Sequence, residues 1–178
     1  MKSLDTIIVQ RYSPRNFANR SVSDESLKQL FEAARHAPSS YNEQPWRFVY
    51  ATREQSETYK KLFSCINEHN QSWATEAPVL MLSLAKKHFS QNSQPNRHAW
   101  HDTGTAVGFL LLKATELDLY AHQMAGFYPD KARETFNISD EYEPVAMMAL
   151  GYLGDEERPE KPRKAVGEFT FTGEAEVS

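Results

Sequence analysis

Cysteine is nearly absent from this chain of 178 residues: Cys65 stands alone. That excludes an intrachain disulfide framework and fits a reducing cytoplasm, with the residue itself reading as a small buried hydrophobe. No apolar run approaches the roughly 18 residues of a membrane span, and Ile7-Ile8-Val9 before Arg11 is too short for the core of a signal peptide. The expectation is a soluble, cytoplasmic chain with no membrane partner. Excess positive charge is missing too. A formal charge of -4 and a pI near 5.9 argue against nucleic acid or an anionic membrane as the main partner. There is no G-x-G-x-x-G, which disfavours a built-in dinucleotide fold, and no G-x-S-x-G elbow, which disfavours a Ser-His-Asp hydrolase. Among six histidines, His98 and His101 are three apart with Asp102 adjacent, a spacing that can set two imidazoles on one helix face. No second Cys or His pair with zinc-site spacing accompanies them, so no metal is assigned.

What is present suits one compact domain over residues 1–178: 40% hydrophobic and 25% charged, with no internal repeat. Leu4 to Gln10 reads as a short helix. Ser23 reads as the N-cap of a second, with Asp24 and Glu25 in its first turn and Leu27, Leu30, Phe31 and Ala34 forming one apolar stripe until Pro38 ends it. Trp46 to Ala51 and Pro78 to Ala85 read as buried strands, with a helix from Glu54 to Ile66 between them. Lys86 to Arg97 is polar and reads as a mobile excursion of lid length. A long helix is expected from near His98 to about Asp118, with Asp102 as its N-cap. Its Gly104 and Gly108 permit close approach of a sheet or a partner helix. Leu119 to Met124 is a strand, Pro129 to Asn137 a helix with proline in its first turn, and Pro144 to Leu153 an apolar strand before a charged tail.

Two N-terminal segments carry the chemistry. Arg11-Tyr12-Ser13-Pro14-Arg15 sets two guanidinium forks four residues apart with a hydroxyl between them, an arrangement able to converge on one phosphate dianion. On its own this pattern is common in surface ion pairs. Pro38-Ser39-Ser40-Tyr41-Asn42-Glu43-Gln44-Pro45-Trp46 places hydroxyls and amides on a loop stiffened by proline at both ends, suited to the edge of a heterocycle. Gly126, after Met124-Ala125, sits between a strand end and a helix start where backbone N–H groups are available. Glu160-Lys161-Pro162-Arg163-Lys164 adds a basic cluster that alone would read as solvated.

Taken together and in this order, these four motifs resemble the flavin-dependent nitroreductase superfamily, over roughly Leu4 to Val166. The resemblance implies an α+β fold with a central, mostly antiparallel sheet flanked by helices, forming an intertwined homodimer with FMN at the subunit interface. It assigns Arg11, Ser13, Arg15, Lys161 and Arg163 to the phosphate and ribityl chain. Pro38, Ser39, Ser40 and Asn42 would approach from the partner chain, with Ala125 and Gly126 near flavin N5. Asn70 would face the pyrimidine edge, with Gln71 as competitor. Phe127 is either a wall beside the ring or a core aromatic. The implied chemistry is ping-pong: NADH or NADPH gives hydride to the flavin, and a small-molecule electron acceptor such as a nitroaromatic or quinone then takes it. No side chain need act as a nucleophile, so no catalytic residue is assigned. A flavin-binding or flavin-consuming protein without turnover would carry the same motifs. The chain departs from the family where Asp118 occupies a helix end often held by glycine, where Glu43 replaces a small residue, and where Trp73 stands in place of a lysine.

Overall fold

The computed structural model describes residues 2–155 and 157–173. Helix α1 (Leu4–Gln10) opens on Ser3, whose hydroxyl accepts the Thr6 N–H at 3.2 Å. Helix α2 (Asp24–Arg35) opens on Ser23 in the same way, through Ser26 N–H at 3.1 Å, and buries Leu27, Leu30 and Ala34 with Phe31 packed against them. One 3-10 turn (Ser40–Asn42) leads to strand β1 (Trp46–Thr52), then come α3 (Ser56–Ser64), α4 (Glu68–Ala74) and strand β2 (Val79–Lys86). The second half is α5 (Ala99–Glu116), β3 (Leu119–Met124), α6 (Pro129–Phe136), β4 (Tyr142–Tyr152) and a last 3-10 turn at Val166–Glu168.

The four strands form one antiparallel sheet in the order β1-β2-β4-β3. Because side chains alternate along a strand, β2 serves two cores at once. Val79 and Met81 join α2 and α5 on one face, while Leu80, Leu82 and Leu84 join Leu62, Ala74 and Ala132 from α3, α4 and α6 on the other. Both faces of the sheet are therefore covered. Cys65 is fully buried in the second core.

Several expectations need correction. β2 is buried along its length, but β1 is an edge strand with only Trp46 and Ala51 buried, because β2 covers just one of its sides. The expected helix from Glu54 is shorter, because Gln55 turns back to receive the Thr52 N–H at 3.0 Å. Helix α4, capped by Asn67, was not expected. Asp102 is not an N-cap: it lies inside the first turn of α5, while His98 holds the cap position without a side-chain bond. The stretch after β2 is no free excursion. It folds into a small hairpin bridged at His88 and Pro95, with Lys87 N–H bonded to Glu141 O at 2.8 Å. A Cβ at Gly104 or Gly108 would meet nothing within 4 Å, so neither mediates close packing inside the chain. Asp118 does take the left-handed conformation that glycine would have supplied, with φ 58°.

Candidate functional site

Where α1 ends, the backbone becomes extended at Arg11, and the C-terminal tail returns beside it. Ile8, Arg11, Arg158, Glu160, Lys161 and Arg163 line a groove of about 830 Å³. Arg11 donates to Ser13 Oγ at 3.1 Å, which orients its fork. Its pKa is pushed below the ordinary guanidinium value first by partial burial, then by the charges of Arg163 and Arg158. Like charges are thus gathered along the groove. Arg158, which sequence reasoning missed, bonds Val9 O and lies over the Tyr12 ring at 5.6 Å, with Lys161 over the same ring at 5.5 Å. Its only signal was an arginine in a charged tail. Arg15 does not join this groove: its guanidinium lies 6.0 Å from the Trp73 ring centroid, so the two arginines of the motif face different surroundings.

That second environment is built on β3 and α4. His122 Nδ1 donates to Pro14 O at 2.9 Å and its ring stacks on Trp73 at 4.5 Å. Trp73 Nε1 is sealed from solvent with no hydrogen-bond partner among the described residues. Next to it, the Gly126 carbonyl accepts from Asn67 N at 3.2 Å and Asn70 Nδ2 at 3.0 Å. A Cβ at Gly126 would lie 2.6 Å from the side-chain amide nitrogens of Asn67 and Asn70, so both asparagine side chains pack directly on this glycine. The Asn70 side chain belongs to this turn. Gln71 instead donates to Phe63 O and Ile66 O, at 3.2 and 2.7 Å, and closes the end of α3. Ala125 is exposed beside Gly126, and Phe127 packs against the second core.

The Pro38 to Trp46 loop forms a third cluster. Asp102, 4% exposed, accepts Ser40 N–H at 2.9 Å and pairs with His101 Nδ1 at 3.0 Å. Ser39 Oγ accepts Gln44 N–H at 3.0 Å, and Asn42 Oδ1 accepts Gln44 Nε2 at 3.2 Å. Tyr41, Asn42 and Gln44 all hold positive φ, at 52°, 54° and 51°, without a glycine among them. Pro38, Tyr41 and Asn42 are exposed, and Tyr41 stands 82% free above the loop.

Within one chain the loop and the clamp are far apart. Phe17, just past the clamp, bridges to Leu153, whereas Trp46, just past the loop, is opposite Ala85 and through it Glu143. With the β4 bulge discounted, these rows lie about nine residue steps apart along the sheet, or roughly 30 Å at ~3.3 Å per step.

The Nitroreductase family model matches residues 8–70 and 59–152. An NADH dehydrogenase of Thermus thermophilus is 26% identical over 185 residues, covering 86% of this chain and 88% of its own length. A solved oxidoreductase containing FMN superposes with a TM-score of 0.81 at 34% identity, covering 86% of this chain and 79% of the other. A nitroreductase family protein from Clostridium difficile 630 superposes with a TM-score of 0.76 at 27% identity, covering 96% and 97%.

Proposed function

Since the chain belongs to the nitroreductase family, we propose that it is an FMN-dependent oxidoreductase that moves reducing equivalents from NADH or NADPH to a small-molecule acceptor such as a nitroaromatic or a quinone. The observation that carries this reading is the groove in which Arg158, Lys161 and Arg163 of the tail return beside Arg11. A phosphate dianion there would accept charge-assisted hydrogen bonds from these cations, each shorter and stronger than a neutral one. Trp73 Nε1, without a hydrogen-bond partner among the described residues, and the exposed Ala125 beside Gly126 fit a bound ring system in the same neighbourhood.

FMN when bound supplies the chemistry itself, taking up a hydride and passing it on. The chain's residues bind and orient. Arg11, Arg163 and Lys161, joined by Arg158, hold the phosphate, and Ser13 serves by fixing the Arg11 fork. Arg15, outside that groove and 6.0 Å from the Trp73 ring centroid, would face the cofactor from the Trp73 side. Asn70 holds the Ala125-Gly126 turn against the cofactor through the Gly126 carbonyl. Pro38, Ser39, Ser40 and Asn42 complete the site from the partner in a homodimer, because the loop of the same chain lies too far from the clamp. No side chain here forms a covalent bond to substrate, so none is assigned a catalytic role. No helix among the described residues is long and apolar enough to cross a membrane.

The direct test is an absorbance spectrum of the purified protein. The reading predicts a yellow protein that bleaches anaerobically on addition of NADH or NADPH and recolours when a quinone or nitroaromatic is added. A protein that remains colourless after incubation with FMN contradicts it. So does a yellow one that neither nicotinamide bleaches, which would be a flavin binder without turnover.

A further inference from the structure

Glu43 lies between two residues in the left-handed conformation, Asn42 and Gln44, while its own backbone is right-handed. Left-handed backbone is unfavourable for any residue with a Cβ and persists only where surrounding contacts over-determine it. The contacts at Glu43 do this. Its side chain is only 7% exposed, and both carboxylate oxygens are occupied. Oε2 accepts Ser90 N–H at 2.9 Å, and Oε1 accepts Ser90 Oγ at 2.6 Å and Lys86 Nζ at 3.3 Å. Lys86 Nζ also donates to Ser90 Oγ at 2.5 Å, closing a triangle. A buried carboxylate is costly unless so satisfied, and here every donor comes from the end of β2 and the hairpin after it.

Two further contacts join the same pieces. Tyr41 meets Phe89 edge-on at 5.7 Å, and Lys86 N–H bonds Pro45 O at 2.9 Å. With Ser40 tied to Asp102, the loop is pinned at both ends and at its middle.

We propose that Glu43 is a positioning residue for cofactor binding: its clasp to Ser90 and Lys86 holds Ser39, Ser40 and Asn42 in the conformation that receives the flavin, without touching the flavin itself. This rests on the functional reading above and deepens it. Loss of the clasp lowers the fraction of protein in the competent loop conformation, and apparent affinity falls by that fraction.

The test compares the full-length wild type with Glu43→Ala, Glu43→Gln and Ser90→Ala, and with Arg11→Ala as the clamp control. The measurements are FMN titration by fluorescence quenching, amide hydrogen exchange over residues 39–46, and melting of the apoprotein. Glu43→Ala is expected to raise the FMN Kd about tenfold, the consequence of a loop competent about a tenth of the time, with faster exchange at Asn42, Glu43 and Gln44. Glu43→Gln, which keeps an acceptor for Ser90, falls between it and the wild type. Arg11→Ala weakens FMN with loop exchange unchanged. If Glu43→Ala fails to fold, Ser90→Ala carries the same direction with a smaller effect, since it removes the hydroxyl shared by Glu43 and Lys86 but leaves the Ser90 N–H and Lys86 bonds to the carboxylate. Wild-type affinity and wild-type exchange in the folded variants overturn the inference alone. A wild-type protein that takes up no FMN overturns the functional reading and this inference with it.

Discussion

At the groove beside α1, partial burial first and then the charges of Arg163 and Arg158 push Arg11 below its ordinary pKa. At the Pro38 to Trp46 loop the buried charge, Glu43, has three donors within 3.3 Å. One region leaves cations opposed to each other, and the other has closed its hydrogen bonds within the chain. The contrast separates affinity from geometry. Groups held in mutual repulsion gain most when an anion arrives, so on the proposed function the groove is where binding energy would be released. Groups already satisfied gain little, so the loop contributes a preset shape.

The largest expected effect follows from the groove. Arg11→Ala should weaken FMN binding by about 1.5–3 kcal/mol, the range for a hydrogen bond to a charged partner. The apoprotein's melting temperature should hold or rise, since a repelling charge is gone. Titration calorimetry with FMN and a thermal melt of the apoprotein check both halves. If affinity and melting temperature fall together, Arg11 is a structural residue and the contrast breaks.

A smaller effect concerns the loop and pH. For Glu43, burial raises the pKa, but the Ser90 bonds and Lys86 outweigh it and hold the carboxyl below the usual range. A depressed folded pKa means that the clasp's contribution is fully present above the unfolded glutamate value, ~4.3. It is lost only as pH falls through the lower folded value. Exchange over residues 39–46 in the wild type should therefore stay flat in its protection factors from about pH 5 to 8 and lose protection only under stronger acid. Loosening centred between about pH 5 and 8 would show that another group governs the loop.

How far the sequence disclosed these two regions differs for a physical reason. Local signals were legible: Ser23 as a cap, the Leu27, Leu30 and Ala34 stripe, and Asp118 in a left-handed position all depend on residues within a turn of one another. The motifs that define the loop and the Arg11 clamp were also visible, because their residues are contiguous. Long-range partners were not. Asp102 resembled a helix cap until Ser40, 62 residues away, proved to be what its carboxylate serves. Nothing near Glu43 pointed to Ser90, 47 positions on. Arg158 reads as solvated in a charged tail, and only the chain's return past α1 brings it beside Arg11. Arg15 is the opposite case: proximity in sequence suggested convergence with Arg11, but Arg15 lies by the Trp73 ring, outside the groove that Arg11 lines.

The account's central claim is that the groove and the loop meet only between two chains. The most direct measurement uses a purified mixed dimer in which one chain carries Arg11→Ala with Arg15→Ala and the other carries Ser39→Ala with Asn42→Ala. Each pair should disable its own homodimer. In a two-fold assembly with shared sites, the mixed dimer holds one doubly damaged site and one intact site. Flavin binding and NADPH-dependent reduction should then return to about half the wild-type level per dimer. If a verified mixed dimer with folded parents recovers neither, each chain builds its own site and the claim is contradicted.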